Sequence, residues 1–149
     1  MNGLLALDLG TMTGWACGKQ GLVVSGSWDL KPGRYEGGGM RFVKLIGLLD
    51  KLFAATPFDQ VVFEEVRRHA GTDAAHIYGG LMGTLTAWCE TTALPYKGVP
   101  VGTIKKYATG NGNASKGAMI AAAKGWGYNP RDDNEADALA LWHCVWNAG

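Results

Sequence analysis

Cysteine and histidine are scarce in this chain, with three of each among 149 residues. Cys17, Cys89 and Cys144 stand far apart and form no Cys-x-x-Cys pair, which argues against a zinc site or a disulfide scaffold and suits buried thiols in a reducing compartment. No apolar run approaches the roughly 20 residues of a membrane span. The opening MNGLLALDLG lacks the basic start and the longer apolar stretch of a secretory leader, so a soluble, cytoplasmic protein is expected. Charge of one sign is missing too. The formal net charge is +1, so any claim of nucleic-acid binding must rest on where the charges sit and not on their sum. Glycine is plentiful, 23 residues, but scattered, which indicates tight turns and close packing rather than low complexity. With 47% hydrophobic residues and no visible linker, one domain over 1–149 can build a proper core.

Along the chain, GLLALDLG (3–10) is a short apolar run, and GWACGKQG and LVVSGSWDL (22–30) follow as two further strands in a meander. Residues 39–54 carry Phe42, Leu45, Ile46, Leu49 and Phe53 at helical spacing, ended by Pro57. DQVVFEEV (59–66) is a fourth strand. The helix expected over 73–92 has one stripe of Ala74, Ile77, Leu81, Leu85 and Trp88 and a second of Tyr78, Met82 and Cys89, with Gly79, Gly80 and Gly83 permitting close approach. That second face is covered either by a dimer partner or within the monomer. LPYKGVPV (94–101) gives a fifth strand, and helices follow, the last from about 133. The order predicts an α/β fold, a mixed five-stranded sheet with helices on it.

Asp8 closes the first strand and Glu64 nears the end of the fourth, each in an apolar run where a carboxylate is costly unless exposed or bound to something. The last helix opens DDNEADALAL. Asp132 and Glu135 have capping-box spacing, whereas Asp133 and Asp137 are four apart on one face and need another partner. Each acid alone could be a turn former, a surface charge or a cap. Together, three apolar segments each deliver an acid near one end. Two unit charges about 4 Å apart at an effective dielectric near 20 repel by about 4 kcal/mol, so four gathered acids call for a hard cation. An all-oxygen set favours Mg²⁺ or Mn²⁺. Glu65 is adjacent to Glu64 and points to the opposite strand face, so the residues alone leave either open.

Lys105, Lys106, Lys116 and Lys124 fall in a Gly-, Ala- and Asn-rich stretch without an acid. Such a patch is most often a solvated face, but beside a metal site it can cradle phosphates. Arg67, Arg68 and His69 follow Glu64 closely and add positive charge, which Lys97 would extend.

The segments ALDLGTMTGWA, VVFEEV, TIKKYATGNGNASKGAMI and DDNEADALAL, in that order, resemble the RuvC-type Holliday junction resolvases of the RNase H-like superfamily, in a compact, phage-type form. The likeness runs over nearly the whole chain. It implies an RNase H-like sheet with a three-stranded antiparallel meander and two parallel strands, flanked by helices. It places the family's acids on Asp8, Glu64 and Asp137, and basic residues at Lys105 and Lys116. Asn134 stands three residues before Asp137, where the family's usual fourth ligand lies, and Asp133 one further back, so either can ligate. Arg67 occupies the position nearest to the family's junction-wedging aromatic, and Leu9 that of a common proline.

The expected activity is metal-dependent cleavage of branched DNA, foremost four-way junctions. Asp8, Glu64, Asp133 and Asp137 would hold two Mg²⁺ ions, with Mn²⁺ able to substitute, Lys116 would assist at the scissile phosphate, and Lys105, Lys106, Arg67 and Arg68 would contact DNA. A homodimer is implied, acting in a bacterial cell or in an infected host cell. The competing expectation is a branched-DNA-binding module with weak or absent cleavage. The DLGT loop also opens actin-like ATPases, but these need two lobes and a second phosphate loop for which this chain has no room, so no nucleotide cofactor is expected.

Overall fold

The computed structural model describes residues 1–148. Its elements run β1 (Leu4–Asp8), β2 (Met12–Lys19), β3 (Leu22–Asp29), α1 (Met40–Ala55), β4 (Gln60–Glu65), α2 (Thr72–Thr91), β5 (Tyr96–Pro100), α3 (Val101–Thr109), α4 (Lys116–Gly125) and α5 (Asp133–Ala148). The five strands form one sheet in the order β3-β2-β1-β4-β5. β1, β2 and β3 pair antiparallel, while β4 lies parallel to β1 and β5 parallel to β4, the pattern that the resemblance implies. The second strand starts at Met12, two residues earlier than its glycine pattern suggests. Among the described residues, no helix is long and apolar enough to cross a membrane.

Alternation of side chains along each strand divides the core between the two faces. Leu5, Leu7, Cys17, Val61 and Phe63 pack against Leu45 and Leu49 of α1 and Leu81, Leu85 and Trp88 of α2. Leu4, Ala6, Ala16 and Val62 pack on the opposite side against α3, α4 and α5, where Leu139 and Trp142 are fully buried. Trp142 donates its indole N–H to the Leu4 carbonyl at 3.0 Å, anchoring the middle of α5 beneath the start of β1. Burying a large apolar side chain contributes about 1.5–3 kcal/mol, so both layers hold the sheet firmly.

The opening of α5 is held in a different way. Asp132 accepts from the Glu135 amide at 2.8 Å and Glu135 accepts from the Arg131 amide at 2.9 Å, closing the capping box one residue earlier than the usual reciprocal bond. Ser27 donates to Asp132 and Ser25 to Glu135, at 2.8 Å and 2.7 Å, tying this turn to β3. Between them lies Gly14 on β2. A Cβ there would run into the Asn134 carbonyl, so only glycine lets α5 come down this close.

Candidate active site

Strand periodicity and the register decide which acids meet. Asp8 follows Leu4 and Ala6 onto the α5 face, and Glu64 follows Val62. Leu7 pairs with Phe63, so Asp8 and Glu64 come next on adjacent parallel strands. Phe63 is committed to the α1–α2 core, which turns Glu65 to that side; there it pairs with Arg67 at 3.2 Å. Asp137 reaches down from the second turn of α5. Asp8, Glu64 and Asp137 each offer an oxygen within 4.8 Å of the other two. Glu65 is not in this cluster.

Electrostatics bear out the cost of that gathering. Burial, then the charge of Glu64 and a hydrogen bond shared with it, then Asp137 and Asp133, hold the Asp8 carboxyl well above the usual carboxylate range. Burial first, and then Glu64 and Asp133, push Asp137 up to about 7, against the opposing pull of Lys105 and Lys116. Asp133 is therefore near enough to be felt by both. Its own carboxylate pairs with the ammonium of Lys116 at 3.5 Å, and that lysine side chain is 83% exposed.

Glu64 is steadied from the other face of the sheet. The Tyr78 hydroxyl of α2 donates to the Glu64 carbonyl at 2.7 Å and accepts from the Val66 amide at 3.1 Å, fixing the end of β4 just where the carboxylate leaves it. Tyr78 reads in the sequence as one more apolar stripe residue, and no local signal marks this second use. Gly14 and the serines of β3 are likewise invisible until the tertiary contacts are known.

The basic residues do not all gather. A cleft of about 720 Å³ is lined by Glu64, Arg67, Arg68, Lys105 and Asn113, so acid and cation share one opening. Lys106, expected in the same patch, instead faces a groove with Tyr107, Cys144 and Asn147 toward the far end of α5. Successive helical residues point about 100° apart, which separates it from Lys105. Lys97, expected to extend the rim, has its charge beside Cys144. It is opposite Val62 on β4, about 7 Å short of the strand end where the acids meet. His69 packs against Tyr78 with its ring tilted at 43°, ring centroids 5.0 Å apart, on the α2 side.

Two Thermus thermophilus structures share this arrangement of strands and helices. RuvC in complex with Holliday junction substrate superposes with a TM-score of 0.80 at 20% identity, over 99% of this chain and 95% of the other. The chain has the RuvC fold. A second RuvC structure gives a TM-score of 0.75 at 19% identity, over 98% and 95% of the two chains. The yeast mitochondrial Holliday junction resolvase Ydc2 gives 0.64 at 14% identity, over 96% of this chain and 76% of that one. No family model matches the chain, and no curated protein matches it by sequence. At these identities the shared RuvC fold establishes the scaffold, and the chemistry has to be argued from the residues.

Proposed function

We propose that this chain is a metal-dependent endonuclease that resolves four-way DNA junctions and related branched DNA, acting as a homodimer in the bacterial or phage-infected cytoplasm. The observation that carries the reading is the convergence of Asp8, Glu64 and Asp137, with oxygens within 4.8 Å of one another, beside a cleft edged by Arg67, Arg68 and Lys105. The likeness to RuvC bound to a Holliday junction supports the choice of substrate.

The donor set fits a hard divalent cation. It is all carboxylate oxygen, it is partly buried, and the charges of Glu64 and Asp133 add to burial in raising the proton affinity of Asp8 and Asp137, as expected of a like-charged cluster lacking its counter-charge. Asp8, Glu64 and Asp137, with Asp133 or Asn134 as the fourth ligand, would hold two Mg²⁺ ions. Mg²⁺, or Mn²⁺ in its place, would supply an activated water and countercharge for the leaving 3′ oxygen. The protein's own part is positioning. Tyr78 fixes Glu64, Gly14 and the Ser25 and Ser27 contacts seat Asp137, and Lys116, paired with Asp133, extends toward a phosphate at the mouth of the site. Lys105, Arg67 and Arg68 would hold the DNA backbone by charge. Lys106 faces elsewhere and is left out of that contact.

The outer face of α2 is the proposed dimer surface. Gly80 is accounted for within the monomer, because a Cβ there would strike the Phe42 ring, but Gly79 and Gly83 face open space. Next to Gly83 a groove of about 490 Å³ runs between Ile46, Thr84, Ala87 and Thr91, large enough to receive side chains of a second copy. Two copies would present two sites to strands on opposite sides of a junction.

The test is cleavage of a synthetic four-way junction in Mg²⁺ by the native chain and by Asp8→Asn. Losing a central ligand should cost several kcal/mol of transition-state stabilisation, on the order of a thousandfold in rate. Equal cutting by both proteins would sink the assignment. Tight junction binding without turnover by the native chain would instead favour a DNA-binding module on the same scaffold.

A further inference from the structure

The loop between β3 and α1 has no part in the site described so far, yet its composition and geometry are those of a ligand contact. Its tip carries Tyr35, a residue 92% exposed, with the Arg34 guanidinium over its ring at 5.6 Å from the centroid. A tyrosine this bare leaves nearly all of its apolar surface in water.

The loop is nevertheless ordered by its own bonds. The Glu36 amide donates to the Gly33 carbonyl at 3.0 Å, and the Gly33 amide returns a bond to the Glu36 carboxylate. Lys44 of α1 clamps the turn, pairing with Glu36 at 3.0 Å and donating to the Lys31 carbonyl at 2.8 Å. At the root, Asp29 accepts from the Lys31 amide at 3.0 Å. Glu36 in the loop and Asp29 at its root are thus spent internally, whereas no ion pair among the described residues reaches Lys31 or Arg34. The outward charge is positive.

Its position matters as much. Asp29 ends β3 opposite Met12, and the Leu30 amide bonds the Thr11 carbonyl at 2.7 Å, so the loop rises from the sheet edge at which Asp8 ends β1. Its root lies two strand spacings from β1, roughly 10 Å. Nucleic acid lying across the acids and extending over β2 to the β3 edge would come within reach of it.

We infer that this loop is a second nucleic-acid contact, in which Tyr35, backed by Arg34, stacks on a base of branched DNA left without a stacking neighbour at the branch point while Lys31 and Arg34 meet its phosphates. This rests on the proposed function and adds a contact that the acid cluster does not require. An aromatic face beside cations in a pre-ordered turn suits bases that have lost their stacking neighbour, and each base so stacked is worth a measurable share of affinity. The internal bonds mean that little ordering is required on binding. A continuous duplex, whose interior base pairs are stacked on both sides, offers no such face, so the contact favours junctions and other branches over linear DNA.

The test uses the full chain with Tyr35→Ala and Tyr35→Trp, a four-way junction carrying 2-aminopurine at the branch point, and a linear duplex of matched length, with Ca²⁺ in place of Mg²⁺ to hold turnover off. Expected is a loss of about tenfold in junction affinity for Tyr35→Ala, disappearance of the 2-aminopurine response, near-native behaviour for Tyr35→Trp, and little change on linear duplex. Mn²⁺ binding by Tyr35→Ala, followed calorimetrically, should match the native chain. Unchanged affinity and fluorescence response in Tyr35→Ala would overturn this inference alone, provided that native chain and variant both cut the junction in Mg²⁺. A native chain that neither binds nor cuts the junction would overturn the proposed function and this inference with it.

Discussion

The two faces of the sheet solve different problems with the same strands. Toward α1 and α2 the strands present Leu5, Leu7, Val61 and Phe63, and the helices answer with leucines and Trp88. Toward α5, near the acids, they present Ala6, Gly14 and Ala16, and the helix answers with Ala136 and Ala140. Large side chains keep helices at a distance and fill it with apolar volume. Small ones bring the α5 backbone against β2, and an aspartate has too short a reach to join Asp8 and Glu64 from further away. One face is built for stability, the other for proximity, and the second accepts like-charge repulsion as a consequence.

The strongest attempt to break this contrast is Gly14→Ala. The added methyl meets the Asn134 backbone, which has no rotamer by which to yield. Overpacking should cost about 1–3 kcal/mol, and displacing Asp137 by even an ångström should lower junction cleavage about 100-fold. Urea unfolding and single-turnover cleavage read the two losses, and native cleavage rates in this variant would contradict the proximity argument. Leu85→Ala on the opposite face should cost 2–5 kcal/mol of stability, by the usual range for buried leucine. Below its melting range that variant should cut at the native rate.

Acidity sharpens the comparison further. Asp137 titrates at about 7 in the folded chain against an ordinary 3.8, so the fold favours its protonated form. That contribution to stability is complete below about pH 4 and is lost as the pH rises through about 7. Asp8 acts in the same sense. The metal-free protein should therefore melt lower at pH 8 than at pH 5, Mg²⁺ should restore the difference at pH 8, and Asp137→Asn should flatten the profile. A melting temperature that rises steadily across this range, with no difference between native chain and variant, would count against a strained acid cluster. The smallest effect is expected for Lys116→Ala. Because the side chain is largely exposed, stability should change by no more than about 1 kcal/mol, while the slope of log affinity for junction against log salt should fall by about one.

The sequence carries the fold through its alternations and turns. Strand β4 is legible because Val61 to Phe63 form an apolar run with an acid at its end, and α5 because its acids precede a run of alanine and leucine. Asp8 and Glu64 stand out as carboxylates in apolar surroundings. The choice of Glu64 over Glu65 rests on resemblance at the level of sequence, and the inward turn of Phe63 supplies its physical reason. What stayed illegible acts across the chain. Ser25 and Ser27 reach Glu135 and Asp132, Gly14 makes room for Asn134, and Tyr78 reaches back to Glu64. None has a spacing rule to betray it. The separation of Lys106 from Lys105 is of another kind, since the helical turn per residue already sets them apart and counting charges in a window conceals that.

The three carboxylates of the cluster come from the first strand, the fourth strand and the last helix. Synthesis delivers them in that order, at about 5–20 residues per second. A chain still emerging from the ribosome holds Asp8 and Glu64 without Asp137, so it cannot close the ion-binding cage. The cutting chemistry proposed for this protein would therefore wait until translation has passed α5.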